Sequence, residues 1–126
     1  MRLLLDTRSL IWALDCPDRL PPAVLDLLDQ TGVWVAASAA STWEIAIKVA
    51  LGRLVFPLLS LPRALSAAAF REFPVTVAQG IAAAELPMIH RDPFDRMLIA
   101  QARHEPLTLV TRDTTVRRYP VDTLWD

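Results

Sequence analysis

The sequence predicts an α/β protein: a three-layer α/β/α sandwich with helices on both faces of a mainly parallel sheet. Three observations predict it. Short apolar runs alternate along the chain with segments of helical period, the pattern of strands joined by helical crossovers. The two strongest runs, Leu3-Leu4-Leu5 and Leu107-Thr108-Leu109-Val110, are nearly unbroken rather than alternating, as strands covered on both faces are. At 126 residues and 53% hydrophobic content the chain reads as one domain, 1–126, with enough apolar surface for a core.

The elements follow in order. Residues 2–5 form a strand that ends at Asp6. Ser9–Leu14 is a short helical turn, punctuated by Cys16-Pro17-Asp18, and Pro21-Pro22 opens a second helix through Leu28. Val33–Ala37 is the second strand. Ser38 or Ser41 caps the next helix, whose buried face is expected to carry Trp43, Ile47, Ala50 and Leu51, and which stops at Gly52. Pro57 and Pro62 frame a loop before a helix around 64–70. Phe73-Pro74-Val75 is a weak strand, because Pro74 lacks the donor a central ladder needs. A helix around 78–85 is closed by Pro87. Asp92-Pro93 then reads as the cap and first position of a helix over about 93–104, apolar at Phe94, Leu98, Ile99 and Ala102. Strands at 107–111 and 121–124 complete the chain.

Composition excludes several classes. The net charge of −1 gives no bulk attraction for polyanions, so handling nucleic acid would require metal ions or a local basic patch. Cys16 is the single cysteine and has no internal disulfide partner, which suits a reducing cytoplasm. The apolar start is too short for a signal-peptide core, and no later stretch is long enough to span a membrane. The three glycines form no phosphate-binding loop. His90 and His104 stand isolated, with no zinc-like spacing, and no motif sets a histidine beside Cys16 or a serine as a nucleophile pair.

Four acids are the candidates for chemistry. In open α/β sheets ligands bind outside the carboxyl ends of the strands, where the strand order reverses. Asp6 ends the first strand and Asp113 closely follows the late one. Asp95 lies on the first turn of the helix leading into that late strand, and Glu44 on the helix after the second strand. Each has a structural alternative: turn residues at Asp6 and Asp113, a capping role at Asp95, a surface pair of Glu44 with Lys48 four residues on. These alternatives leave the shared edge unexplained. Carboxylates brought together repel, so a cluster calls for a balancing cation, and oxygen-only ligands suit Mg²⁺ or Mn²⁺ rather than zinc.

Leu-Leu-Asp-Thr at 4–7, Ser-Thr-Trp-Glu-Ile-Ala-Ile-Lys at 41–48, His-Arg-Asp-Pro-Phe-Asp-Arg at 90–96 and Thr-Leu-Val-Thr-Arg-Asp at 108–113 resemble, in this order and over nearly the whole chain, the PIN-domain ribonucleases of the VapC toxin type. The resemblance implies a sheet of four or five parallel strands, Mg²⁺-dependent (or Mn²⁺-dependent) cleavage of RNA, a homodimer, and an antitoxin partner encoded alongside. The family's acidic quartet falls on Asp6, Glu44, Asp95 and Asp113, as catalytic residues and metal ligands. Thr7 and Thr111 resemble the hydroxyl residues that steady the site, and Asp92 caps the helix and assists through water. Where close relatives read Asp-Thr-His, this chain has Arg8.

The reaction these residues point to is metal-assisted phosphodiester hydrolysis, with Asp6 and Asp95 as direct ligands and a second metal about 3.5–4 Å away at the leaving oxygen. Arg8, Lys48, Arg91, Arg96 and Arg112 flank the acidic blocks and are the candidate RNA contacts. Two other classes compete. A phospho-acceptor receiver domain needs an acid pair after the first strand and a late lysine, whereas here Asp6 stands alone and Lys48 is the only lysine. A silent partner-binding module is kept open by Arg8, and metal-dependent activity discriminates against it.

Overall fold

The computed structural model describes residues Met1–Asp126. Its elements are β1 (Arg2–Leu5), α1 (Thr7–Asp15), α2 (Pro22–Asp29), β2 (Trp34–Ser38), α3 (Ala39–Ala50), α4 (Leu61–Ala67), β3 (Arg71–Phe73), α5 (Val77–Glu85), α6 (Pro93–His104), β4 (Thr108–Val110) and β5 (Thr123–Leu124). The five strands make one sheet in the order β3-β2-β1-β4-β5, and every pairing is parallel. Because all strands run one way, all their carboxyl ends lie along a single edge.

The apolar run of β1 is sorted by the strand's two-residue period. Leu3 and Leu5 point into one core with Val35, Ala37 and Val110, against Leu10 of α1, Val24 of α2, Ile45 of α3 and Leu61 and Leu65 of α4. Leu4 points the other way, with Ala36 and Leu109, against Ala83 of α5 and Leu98, Ile99 and Ala102 of α6. Two cores on opposite faces of one sheet are the three layers expected from unbroken apolar strands. No helix is long and apolar enough to cross a membrane.

The topology fixes where a crevice opens. From β1 the chain moves outward to β2 and β3, then returns to place β4 on the other side of β1. The order therefore reverses between β1 and β4, and the switch point lies at their carboxyl ends. A receiver-type order, with the first strand beside the third, does not fit this sheet.

Some local expectations are corrected. The edge strand is 71–73 rather than 73–75, ending just before Pro74, which has no N–H to continue the ladder. The last strand is reduced to Thr123–Leu124, and α4 begins at Leu61, with Pro62 in its first turn. On α3 the buried residues are Ala40, Ser41, Glu44 and Ile45, whereas Trp43 is 65% exposed and packs edge-on against Phe94. The side of α3 facing the sheet is thus lined mostly by small and polar groups.

Candidate active site

Asp6, Glu44, Asp95 and Asp113 line one cavity of about 670 Å³ at the switch point, together with Asp92. Each arrives by a different local rule. Asp6 is the residue at which β1 becomes α1: its backbone N–H still bonds Val110 at 3.1 Å, while its Oδ1 caps α1 by accepting from the Ser9 N–H at 2.8 Å. Glu44 projects from α3, where Thr7 donates to its Oε1 at 2.6 Å and Lys48 pairs with its Oε2 at 3.0 Å. Asp92 is the cap of α6, its Oδ1 accepting from the N–H groups of Phe94 and Asp95. Asp95 is therefore relieved of capping, and its carboxylate is left for the cavity. Asp113 follows β4, its Oδ1 accepting from the Thr115 N–H at 2.7 Å.

The electrostatics separate these acids. Burial pushes the Asp6 carboxyl up, against hydrogen bonds from Ser9 and Thr111 and the nearby Arg8. Asp95 is pushed up to about 7, first by burial and then by the negative charge of Asp92, with Asp6 and Glu44 adding to it and His90 opposing. For Asp113 partial burial raises the carboxyl, but hydrogen bonds from His90 and the backbone at Thr115 and Val116 outweigh it and hold the group below its ordinary range.

The supporting hydroxyls are in place. Thr7 Oγ1 touches Ser41 Oγ at 3.0 Å as well as Glu44, and Thr111 Oγ1 accepts from the Asp113 N–H at 3.1 Å. The expected nucleic-acid contacts divide. Arg8, Lys48 and Arg112 line the acidic cavity, and Arg91 lines an adjoining groove. Arg96 does neither. It is 7% exposed and donates to the carbonyls of Ala83, Ala84, Leu86, Pro87 and His90, so its role as an RNA contact is corrected to that of a buried clamp.

Two functional neighbours escape the sequence reading. Arg53 lines both the cavity and the groove; it follows Gly52, whose φ of +71° turns the chain at the end of α3. His90 is not isolated, since its Nε2 lies 3.0 Å from Asp95 Oδ2 and 2.9 Å from Asp113 Oδ2. Asp113 comes from 23 residues further along the chain, and no local spacing signals such a contact.

The donors that line the cavity are oxygens without a histidine or cysteine among them, a set that fits a hard divalent cation. Four cationic side chains, Arg8, Lys48, Arg53 and Arg112, share its walls. Carboxylates able to gather a cation thus stand beside cationic side chains able to hold an anion.

A family model described as PIN domain matches residues 3–122. Among solved structures, a chain from VapBC2 of Rickettsia felis bound to a promoter DNA fragment is similar over 100% of both chains, at 18% identity and a TM-score of 0.74. A chain from DNA-bound VapBC of Salmonella typhimurium is similar over 98% of this chain and 97% of its own, at 14% identity and a TM-score of 0.71. A chain from FitAcB of Neisseria gonorrhoeae is similar over 97% of this chain and 96% of its own, at 23% identity and a TM-score of 0.62. Identities this low speak for the shared fold alone. No match was found among curated proteins.

Proposed function

Since the chain belongs to the PIN domain family, we propose that it is a Mg²⁺- or Mn²⁺-dependent endoribonuclease, the toxin of a toxin–antitoxin pair, hydrolysing RNA phosphodiester bonds at Asp6, Glu44, Asp95 and Asp113. The observation that carries the reading is the meeting of these four acids, from the ends of β1 and β4 and from α3 and α6, in one cavity at the switch point.

Asp6 and Asp95 are the direct metal ligands in this reading, and Glu44 and Asp113 complete the set. When bound, a divalent cation supplies Lewis-acid charge that activates water and neutralises the phosphate in the transition state. The chain's own residues do the rest. Thr7 fixes the rotamer of Glu44, the Ser9 N–H fixes Asp6, and Thr111 Oγ1 holds the backbone of Asp113. Arg8, Lys48, Arg53 and Arg112 seat the anionic backbone of the RNA, and Arg91 extends the track along the neighbouring groove. Asp95, whose carboxyl is raised to about 7 by burial and by Asp92, would hold the cation in its ionised form.

The similar chains come from assemblies named VapBC2, VapBC and FitAcB. By that likeness we take the partner to be an antitoxin. The exposed apolar side chains Val77, Ile81 and Met88 on and beyond α5 support a contact between two copies of the chain. Light scattering that finds only a 14.0 kDa monomer at micromolar concentration overturns the dimer.

The test is cleavage of single-stranded RNA, with DNA of matching sequence in parallel, in Mn²⁺, Mg²⁺ or EDTA. Metal-dependent RNA cleavage that disappears in Asp6→Asn and Asp95→Asn, with far-UV circular dichroism unchanged, is expected. Full activity in Asp95→Asn, or cleavage indifferent to EDTA, overturns the assignment. The silent-module reading, which rests on Arg8 in the cavity wall beside Asp6, fails on any metal-dependent cleavage by the parent.

A further inference from the structure

We propose that His90 is a positioning residue for the cavity: its Nε2–H donates to the Asp113 carboxylate while Asp95 Oδ2 lies against the same nitrogen, so that the ring keeps the two acids together. The inference rests on the metal-dependent reading above.

The ring's tautomer follows from its partners. The Asp92 N–H points at Nδ1 at 3.2 Å, and a backbone amide can only donate, so Nδ1 carries the lone pair. The proton then sits on Nε2 and is donated to Asp113 Oδ2 at 2.9 Å, with Asp95 Oδ2 in contact 3.0 Å from the same nitrogen. Ligation of a metal by Nε2 would force the proton onto Nδ1 and set two donors against each other. His90 is accordingly a donor to Asp113 and a close contact of Asp95 rather than a metal ligand.

The backbone that carries the ring is also held. The N–H groups of Ile89 and His90 donate to the Tyr119 hydroxyl at 3.1 and 2.8 Å, and that hydroxyl donates to the Pro87 carbonyl at 2.6 Å. Arg96 donates to the His90 carbonyl at 3.2 Å. Asp95 stands on a helix, whereas Asp113 lies in the segment after β4 and has the more exposed side chain, 37% against 22%. His90 is the link by which a fixed backbone ties the looser acid to the firmer one. Outer partners of this kind set the orientation of metal-ligating carboxylates.

The experiment is isothermal titration of the full chain with Mn²⁺, without RNA, for the parent, His90→Ala, His90→Gln, Asp113→Asn and the His90→Ala/Asp113→Asn double variant. The glutamine amide can donate from near the Nε2 position without an imidazole lone pair. His90→Ala is expected to weaken Mn²⁺ binding about tenfold, and His90→Gln to stay within about threefold of the parent. In the Asp113→Asn background His90→Ala is expected to add little, because its effect passes through Asp113. Should His90→Ala fail to fold, His90→Asn, whose amide stops short of the carboxylates, is expected to show the same loss. An alanine or asparagine variant that binds as tightly as the parent or tighter overturns the proposal. A glutamine variant as weak as alanine also overturns it, since the imidazole itself would then be required. A parent that binds no Mn²⁺ overturns both this proposal and the metal-dependent reading, whereas a parent that binds with variants unmoved overturns this one alone.

Discussion

Arg96 and the acidic cavity are both charge withdrawn from water, and they are withdrawn in opposite ways. The Arg96 guanidinium is surrounded by acceptors: five carbonyls between Ala83 and His90 at 2.8–3.3 Å and the Tyr119 hydroxyl at 3.4 Å. Several belong to the end of α5, where the helix dipole favours a cation. No carboxylate pairs with it, yet both its terminal nitrogens donate. In the cavity the acids line one space, and burial together with the like charge of Asp92, Asp6 and Glu44 pushes Asp95 up to about 7 against the opposing His90. One arrangement holds structure together. The other keeps a local cost that a cation would relieve, the usual direction of a trade between stability and activity.

The largest expected effect breaks the satisfied side. Arg96→Met keeps the bulk and removes the fork, leaving the end of α5 and the 86–90 turn short of donors. A loss of about 3 kcal/mol or more is expected, read from the midpoint of urea unfolding. Arg96→Lys should recover only part of it, because an ammonium cannot match a planar fork. An unchanged midpoint in Arg96→Met would mean that water already satisfies those carbonyls.

Tyr119→Phe should cost less, about 1–3 kcal/mol, by leaving the Ile89 and His90 N–H groups without their acceptor. It sharpens the comparison, since the same hydroxyl serves both the clamp and the turn that carries His90. Proteolysis or hydrogen exchange localised to 87–91 would report it, and protection unchanged from the parent would count against this account of the turn.

On the unsatisfied side the sign reverses. Asp6 caps α1, whereas Asp92 does the capping for α6, so Asp95→Asn is the cleaner substitution for removing charge alone. Without metal it is expected to gain about 1 kcal/mol, a few degrees in Tm at this size. The gain depends on pH. Asp95 titrates near 7 when folded against 3.8 as its ordinary value, so between these the folded state holds the extra proton. The parent's stability should therefore fall as pH rises from about 4 to about 7, and the cost is fully present above that. Asp6, also raised, acts in the same direction. Asp113, lowered, acts oppositely but only below its ordinary value of 3.8, outside this window. Asp95→Asn should flatten the slope, and Mn²⁺ should raise the parent's Tm more than the variant's. Metal-free melts of the parent that are level from pH 5 to pH 8 would break this side of the comparison.

The two sides were unequally legible in the sequence. The layers follow from the unbroken apolar runs, and the meeting of the acids follows from one rule about strand ends. Arg96 carried a signal that charge obscured: it lies three and four residues before Ile99 and Ala100, on the stripe that α6 buries. In sequence it stands beside Asp95, which places it next to the acidic block. Trp43 misled for the converse reason, because hydrophobicity assigned it to a core that α3 meets instead with Ala40, Ser41 and Ile45. His90 carried no local signal, since its partner Asp113 is brought to it only by tertiary structure.

The smallest effect tests the boundary between the two arrangements. Glu44 is the one quartet member with a lysine on it, at 3.0 Å, and Lys48 is about half exposed. A helical pair of this spacing contributes about 0.3–0.5 kcal/mol. Lys48→Ala removes it, but Thr7 still donates to the other oxygen of Glu44, so the carboxylate keeps a partner inside the protein. The substitution also takes one cation from the cavity wall. In metal-free protein a loss of about 0.5 kcal/mol is expected, smaller at high salt because the lysine is open to solvent. With saturating Mn²⁺ the loss should shrink further, since the bound ion supplies the positive charge that Lys48 gave. A Lys48→Ala loss as large as that of Arg96→Met, unmoved by salt or Mn²⁺, would mean that the cavity is neutralised from within, and the contrast between the two buried charges would not stand.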